Sequence, residues 1–229
     1  KASKVNIAIP EGQQKLVSEL AKTGKPVIAL VMCGRPVIFN EIREHADAVL
    51  CTWWLGSEAG NAICNVLWGE YNPSAKLPMT FPAHVGQIPI YYQNKSTGRP
   101  TALKQTYKAS YIDASTEPAY PFGYGLSYTD FGYSDLKLLP GKAAGVHTEV
   151  SVKVTNTGKC AGEEVVQLYV QDKVASVTRP IKELKGFRKI HLNAGESKTV
   201  VFQITDDALG FYDNEMNYMV EPGDFVFMV

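Results

Sequence analysis

Apolar positions recur with a helical period at the start of the chain. From Glu11, the residues Leu16, Val17, Leu20 and Ala21 share one face, and Gly24 can supply a left-handed stop. The run Val27–Val31 is continuously apolar and branched, which predicts a strand buried on both faces. A short, mostly polar helix is predicted over Asn40–His45 and a second strand over Ala48–Thr52. Ser57 is placed as the N-cap of a further helix, whose stripe of Ala62, Ile63, Val66 and Leu67 ends at Gly69. Helix, strand, helix, strand, helix is the order of an α/β layer with parallel strands. Two strands are too few for an independent doubly wound sheet, so part of this domain is expected upstream of Lys1.

Beyond residue 132 the period changes from 3.6 to 2. Val150, Val152 and Val154 alternate with Glu149, Ser151 and Lys153, and Val166, Leu168 and Val170 alternate with Val165, Gln167 and Tyr169. Val200, Phe202 and Ile204 repeat the pattern, and Phe225–Val229 closes the chain with another strand-like run. Turn signals fall between them at Asn156–Gly158, Asn193–Gly195, Asp213–Asn214 and Pro222–Gly223. Short strands at this spacing predict an antiparallel β-sandwich over 133–229, following an α/β part over 1–132.

Composition narrows the function classes. With 229 residues, 45% hydrophobic and 20% charged, the chain is that of a globular protein with one large core or two ordinary ones. Acidic and basic side chains balance at 23 each and no like-charge block occurs, which argues against nucleic-acid and anionic-membrane partners. The longest apolar run, Val27–Cys33, is too short to span a bilayer. The chain begins at Lys1 with the first helix under way by Glu11, which reads as a fragment. Cys33, Cys51, Cys64 and Cys160 lack CxxC spacing and the histidines are scattered, which argues against a zinc site. Cys33 and Cys51 end neighbouring predicted strands, where either a bridge or a pair of small apolar core thiols would fit.

Two proline-punctuated stretches stand apart: Gly69–Pro82, GEYNPSAKLPMTFP, and Tyr120–Tyr128, YPFGYGLSY. They are too rich in Pro, Gly and rings for helix interiors and too apolar for flexible linkers, so they must pack to stay ordered. With GKPVIALVMCGRPV (Gly24–Val37), ADAVLCTWWLGSEAGNAICNVLWGEYNPSAKLPMTFP (Ala46–Pro82) and YPFGYGLSYTDF (Tyr120–Phe131), the chain resembles the C-terminal region of family 3 glycoside hydrolases, the β-glucosidase and β-xylosidase group. VTNTGKCAGEEVVQLYVQD (Val154–Asp172) and RPIKELKGFRKIHLNAGESKTVVF (Arg179–Phe202) resemble its fibronectin type III-like domain. The resemblance covers nearly the whole chain, in order.

The resemblance implies an incomplete α/β sandwich followed by an immunoglobulin-like sandwich, in a periplasmic or secreted enzyme that needs no cofactor. In that family an N-terminal (β/α)8 barrel carries an Asp nucleophile, and the α/β-sandwich domain usually contributes a Glu acid/base. Their mechanism is retaining, with the two carboxylates about 5–5.5 Å apart. The acid/base segment lies just before the part that matches Val5–Pro10. Both catalytic carboxylates are therefore expected outside this chain, with the absent barrel as its partner.

Candidate binding residues are Trp53, Trp54 and Glu58, where the second strand gives way to a helix. Loops beyond the C-terminal ends of parallel strands line clefts, and indole faces suit the C–H faces of pyranoses. The alternative is that Glu58 merely faces a positive helix end while the Trp rings pack under the missing barrel. Arg35 and Arg99, each before a Pro, are candidates for holding a hydroxyl or carboxylate, against ordinary salt bridges. Asn72-Pro73-Ser74 reads as a turn, and Gly123 and Gly125 give YPFGYGLSY the backbone freedom of a strap between domains. GYGLSY lacks the last Gly of a dinucleotide fingerprint, no Walker A loop is present, and Leu55 precedes Ser57 where a GxSxG elbow needs Gly. The reading is the scaffold portion of an exo-acting β-glucosidase; a carbohydrate-binding module and a pairing domain for homodimers are the alternatives.

Overall fold

The computed structural model describes residues 4–99 and 109–229. Internal contacts divide the chain into two units. The first comprises the chain up to Tyr71 with Leu77–Tyr91 and Ser110–Tyr124; the second comprises Asn72–Lys76, the described part of Tyr92–Ala109, and Gly125–Val229.

In the first unit, helix α1 (Glu11–Ala21), strand β1 (Ile28–Val31), helix α2 (Asn40–His45), strand β2 (Ala48–Cys51) and helix α3 (Ala59–Leu67) follow one another. Gly24 takes φ +69 after α1, the left-handed conformation that the turn into β1 needs. β1 and β2 run parallel, in register from Ile28 opposite Ala48 to Val31 opposite Cys51. Ala29, Phe39, Ile42 and Phe81 are buried together, with Val17 of α1, Val37 and Val49 packed against them. The ring of Phe39 meets Phe81 edge-on at 6.0 Å and stacks with Tyr120 at 6.0 Å.

Two expectations about this unit are corrected. β1 is buried on one face only: Ala29 and Val31 point inward, whereas Ile28 and Leu30 are 50% and 41% exposed, with Met32 beyond them at 61%. Val17 of α1 and Ile42 of α2 pack on the Ala29 side, and among the described residues no helix buries the opposite row. Nor is Ser57 the N-cap of α3. The chain turns from Gly56 to Ala59 (3.1 Å), and the first helical bond runs from Ala62 N to the carbonyl of Glu58 (3.0 Å). Glu58 therefore holds the cap position, without a side-chain cap bond. The apolar stripe of α3 has no buried residue.

The second unit is an antiparallel sandwich. Its strands are β3 (Phe131–Pro140), β4 (Thr148–Asn156), β5 (Gly162–Asp172), β6 (Glu183–Leu192), β7 (Ser197–Ile204), β8 (Phe211–Tyr212), β9 (Tyr218–Met219) and β10 (Phe225–Met228), with a short helix α4 (Asp206–Leu209) before β8. One sheet has the order β10-β5-β6, the other β3-β4-β7, and β8-β9 forms a small ribbon. Val150, Val152, Val154, Val166, Leu168, Val170, Val200, Phe202 and Ile204 fill the space between the two main sheets, joined by Ile190 and Leu192 of β6. The fold is thus an α/β part with parallel strands plus an immunoglobulin-like sandwich.

A piece of earlier chain completes this unit. Asn72 Oδ1 accepts from Ser127 Oγ and Tyr128 N, both at 2.8 Å, while its Nδ2 donates to the carbonyl of Ala161 at 3.0 Å. Lys76 Nζ donates to the carbonyl of Gly125 at 2.9 Å and lies 3.1 Å from Glu164 Oε1. Asn72 is therefore a clasp on the sandwich rather than only a turn residue. At Gly125 a Cβ would collide with the carbonyl oxygen of Ala75, so close backbone approach requires glycine there.

Candidate functional site

The loops leaving β1 and β2 lie side by side at the C-terminal ends of the parallel strands, where open α/β sheets hold ligands. The first loop carries Gly34 and Arg35, the second Trp53, Trp54 and Glu58. Arg35 Nη2 donates to the carbonyl of Lys4 at 2.5 Å. Arg99 lies in the second unit and is exposed.

The two adjacent indoles have opposite fates. Trp53 takes φ +54, a left-handed conformation that costs a bulky residue about 1–2 kcal/mol. That backbone turns its ring inward, where it packs 5.6 Å from Phe81 in the core of the unit. Trp54 then points out and is 82% exposed. Its indole lies over the backbone of Gly34: a Cβ there would stand only 3.2 Å from Trp54 Cε2. Glycine at 34 gives the ring a flat floor. Glu58 is exposed, and its Oε2 accepts from Asn61 Nδ2 at 2.6 Å, which fixes the carboxylate against the first turn of α3. Gly34 was not a candidate from the sequence, since its role depends on a ring that arrives from a different loop.

Two thiols sit at the bases of these loops, Cys33 two residues past β1 and Cys51 at the end of β2. The Cys51 thiol is pushed up to about 11, chiefly by burial and further by the neighbouring Cys33, while the Trp53 backbone N–H pulls the other way. Burial raises the Tyr120 phenol as well. All four cysteines are unbridged. Among the described residues no group of three or more His, Cys, Asp or Glu is arranged to hold a metal ion, and no helix is long and apolar enough to cross a membrane. The second loop thus presents one exposed indole and one anchored carboxylate.

The family description "Glycosyl hydrolase family 3 C-terminal domain" matches residues 1–128. The chain belongs to that family. Its "Fibronectin type III-like domain" companion matches residues 164–229 of the sandwich. The chain is 49% identical over 227 residues to a periplasmic beta-glucosidase of Salmonella typhimurium, covering 98% of this chain and 30% of that one. It is 46% identical over 218 residues to a beta-xylosidase of Formosa agariphila, covering 95% of this chain and 30% of the relative. Among solved structures, the beta-glucosidase from Listeria innocua in complex with glucose superposes with a TM-score of 0.92 at 42% identity, over 98% of this chain and 32% of that one. The chain thus spans about 30% of the length of the curated relatives it matches.

Proposed function

We propose that this chain is the C-terminal, non-catalytic part of an exo-acting retaining β-glycosidase that removes terminal β-D-glucosyl residues from oligosaccharides. The relatives named above are β-glucosidases and a β-xylosidase roughly three times as long, which supports a parent with a further catalytic domain. In this reading a (β/α)8 barrel carries the nucleophile, the acid/base lies in parent sequence outside this chain, and the α/β part over 1–132 forms one wall of the cleft. The sandwich over 133–229 is its brace. The parent works in the periplasm or outside the cell.

The single observation that carries the site is the exposed face of Trp54 laid across Gly34 at the C-terminal edge of the parallel strands. Trp54 provides a stacking surface for a pyranose, Glu58 accepts from a sugar hydroxyl, and Trp53 anchors the loop. The uncovered row Ile28, Leu30 and Met32 is the contact face for the rest of the parent chain. An exposed apolar row of this kind marks an interaction surface, and a parent of which this chain is about 30% supplies the occupant.

Purified residues 1–229 should not turn over an aryl β-glucoside, whereas the parent should. Turnover by the purified 229-residue chain would overturn the assignment of the catalytic carboxylates to absent sequence. Saturable binding of glucose or cellobiose by the 229-residue chain, read by calorimetry and unchanged by Trp54→Ala, would favour a carbohydrate-binding module instead.

A further inference from the structure

Cys33 and Cys51 have no part in the reading above, yet Cys33 directly precedes Gly34 and Cys51 precedes Trp53 by two residues. Cys51 ends β2 opposite Val31, and Cys33 follows Val31 by two residues just past the end of β1. Ala29, Val31 and Cys33 are all buried, which sets Cys33 on the inward side of β1. Cys51 packs against the cluster that holds Ala29, and its register partner Val31 is buried on the same face as Cys33. Cys33 is near enough to raise the Cys51 thiol through its charge. Neither Cys64 nor Cys160 shares this setting, as both are exposed and Cys160 belongs to the second unit.

The backbone on either side of the pair belongs to the candidate site. Gly34, the floor under Trp54, follows Cys33 directly, and Trp53 follows Cys51 by two residues. Beyond Val31 the chain has left the strand ladder, so the loop carrying Cys33 is free of cross-strand register and can adjust by the small movement that a sulfur–sulfur bond requires.

We propose that Cys33 and Cys51 are a modification site: a dithiol that a low-molecular-weight disulfide converts into an intramolecular bridge tying the ends of β1 and β2. The thiolate of Cys51, the less buried of the two, attacks one sulfur of the oxidant, such as oxidised glutathione. That breaks the oxidant's S–S bond and expels one small thiolate. The thiolate of Cys33 then attacks Cys51 Sγ in the mixed disulfide and expels the second. Two electrons pass from the two cysteines to the oxidant, and the two protons lost by the protein thiols end on the two released small thiols. Since the Cys51 thiol is held well above its ordinary range, exchange should be slow near neutrality and faster in alkali.

The test treats the native 229-residue chain with oxidised glutathione at pH 7 and pH 9, then alkylates in denaturant and maps the cysteines by mass spectrometry. The expected result is the loss of two of the four alkylatable thiols, a Cys33–Cys51 linkage that dithiothreitol reverses, and faster formation at pH 9. The linkage should also form in the Cys64→Ser/Cys160→Ser chain, which keeps only the proposed pair. Four alkylated cysteines after prolonged treatment at pH 9 would overturn the proposal. So would a glutathione adduct that persists on Cys51 without resolving onto Cys33, or a bridge involving Cys64 or Cys160.

Discussion

The ammonium of Lys76 stands 3.1 Å from the carboxylate of Glu164, and the two side chains retain only 16% and 9% of their exposure. Glu164 also accepts from the hydroxyl of Tyr133 at 3.2 Å. A charge held this far from water is tolerated only while its partner stays in place. Lys76→Met should therefore cost about 3–5 kcal/mol in urea denaturation of the second unit. Adding Glu164→Gln in the same chain should recover part of that loss, because the orphaned charge is removed. An undiminished loss in the double variant would show that packing of the lysine stem, not charge pairing, is what matters.

Tyr133 makes the same cluster sensitive to alkali. Burial is the main cause that raises its phenol above the ordinary value of 10.0, and the Glu164 charge and hydrogen bond add to it. The folded state thus favours the neutral phenol. Its contribution is fully present below about pH 10 and is lost as pH rises toward the folded value. The midpoint of thermal unfolding should fall above pH 10, and Tyr133→Phe should flatten that fall. An equal slope in both proteins would remove Tyr133 from the account.

The adjacent tryptophans should separate cleanly on substitution. Trp53→Ala removes a ring packed on Phe81 and should cost about 3 kcal/mol of stability, measured by denaturant titration. Trp54→Ala removes an exposed ring and should change stability by less than about 0.5 kcal/mol. In the parent enzyme, Trp54→Ala should raise KM for an aryl β-glucoside by about tenfold, the equivalent of about 1.4 kcal/mol of stacking. An unchanged KM would leave Trp54 without a role in binding.

Gly123 and Gly125 are two residues apart but glycine for different reasons. Gly123 holds φ +81, so Gly123→Ala pays a conformational cost of about 1–2 kcal/mol. Gly125 has an ordinary backbone but faces the carbonyl of Ala75, so Gly125→Ala forces the two segments apart at a cost of about 1–3 kcal/mol. Replacing each by D-alanine through chemical ligation should rescue position 123 and leave position 125 impaired.

The strands β4, β5 and β7 are legible in the sequence because each alternates a buried Val, Leu, Ile or Phe with an outward residue. β3 and β6 are not. Almost every residue of β3 is exposed or half-exposed, and β6 interleaves Lys185, Arg188, Lys189 and His191 with few apolar positions. Their pairing comes from the ladders to β4 and β5, which no local pattern announces. The apolar run of β1 suggested two buried faces, but apolarity shows only that a face can be covered, not that a neighbour is present. At the candidate site, the Trp pair and Glu58 were visible as residues. Their divergence was not, since it depends on a left-handed backbone at Trp53, where a bulky side chain gives no hint of positive φ.

The clasp of Asn72 and Lys76 on strands laid down some ninety residues later means that the sandwich cannot be lifted out as a cassette beginning at residue 133. A protease cutting once between 77 and 91 would sever the polypeptide, yet the amino-terminal piece would still hold the fastening that the carboxy-terminal piece needs. The two would stay together until something loosened Asn72.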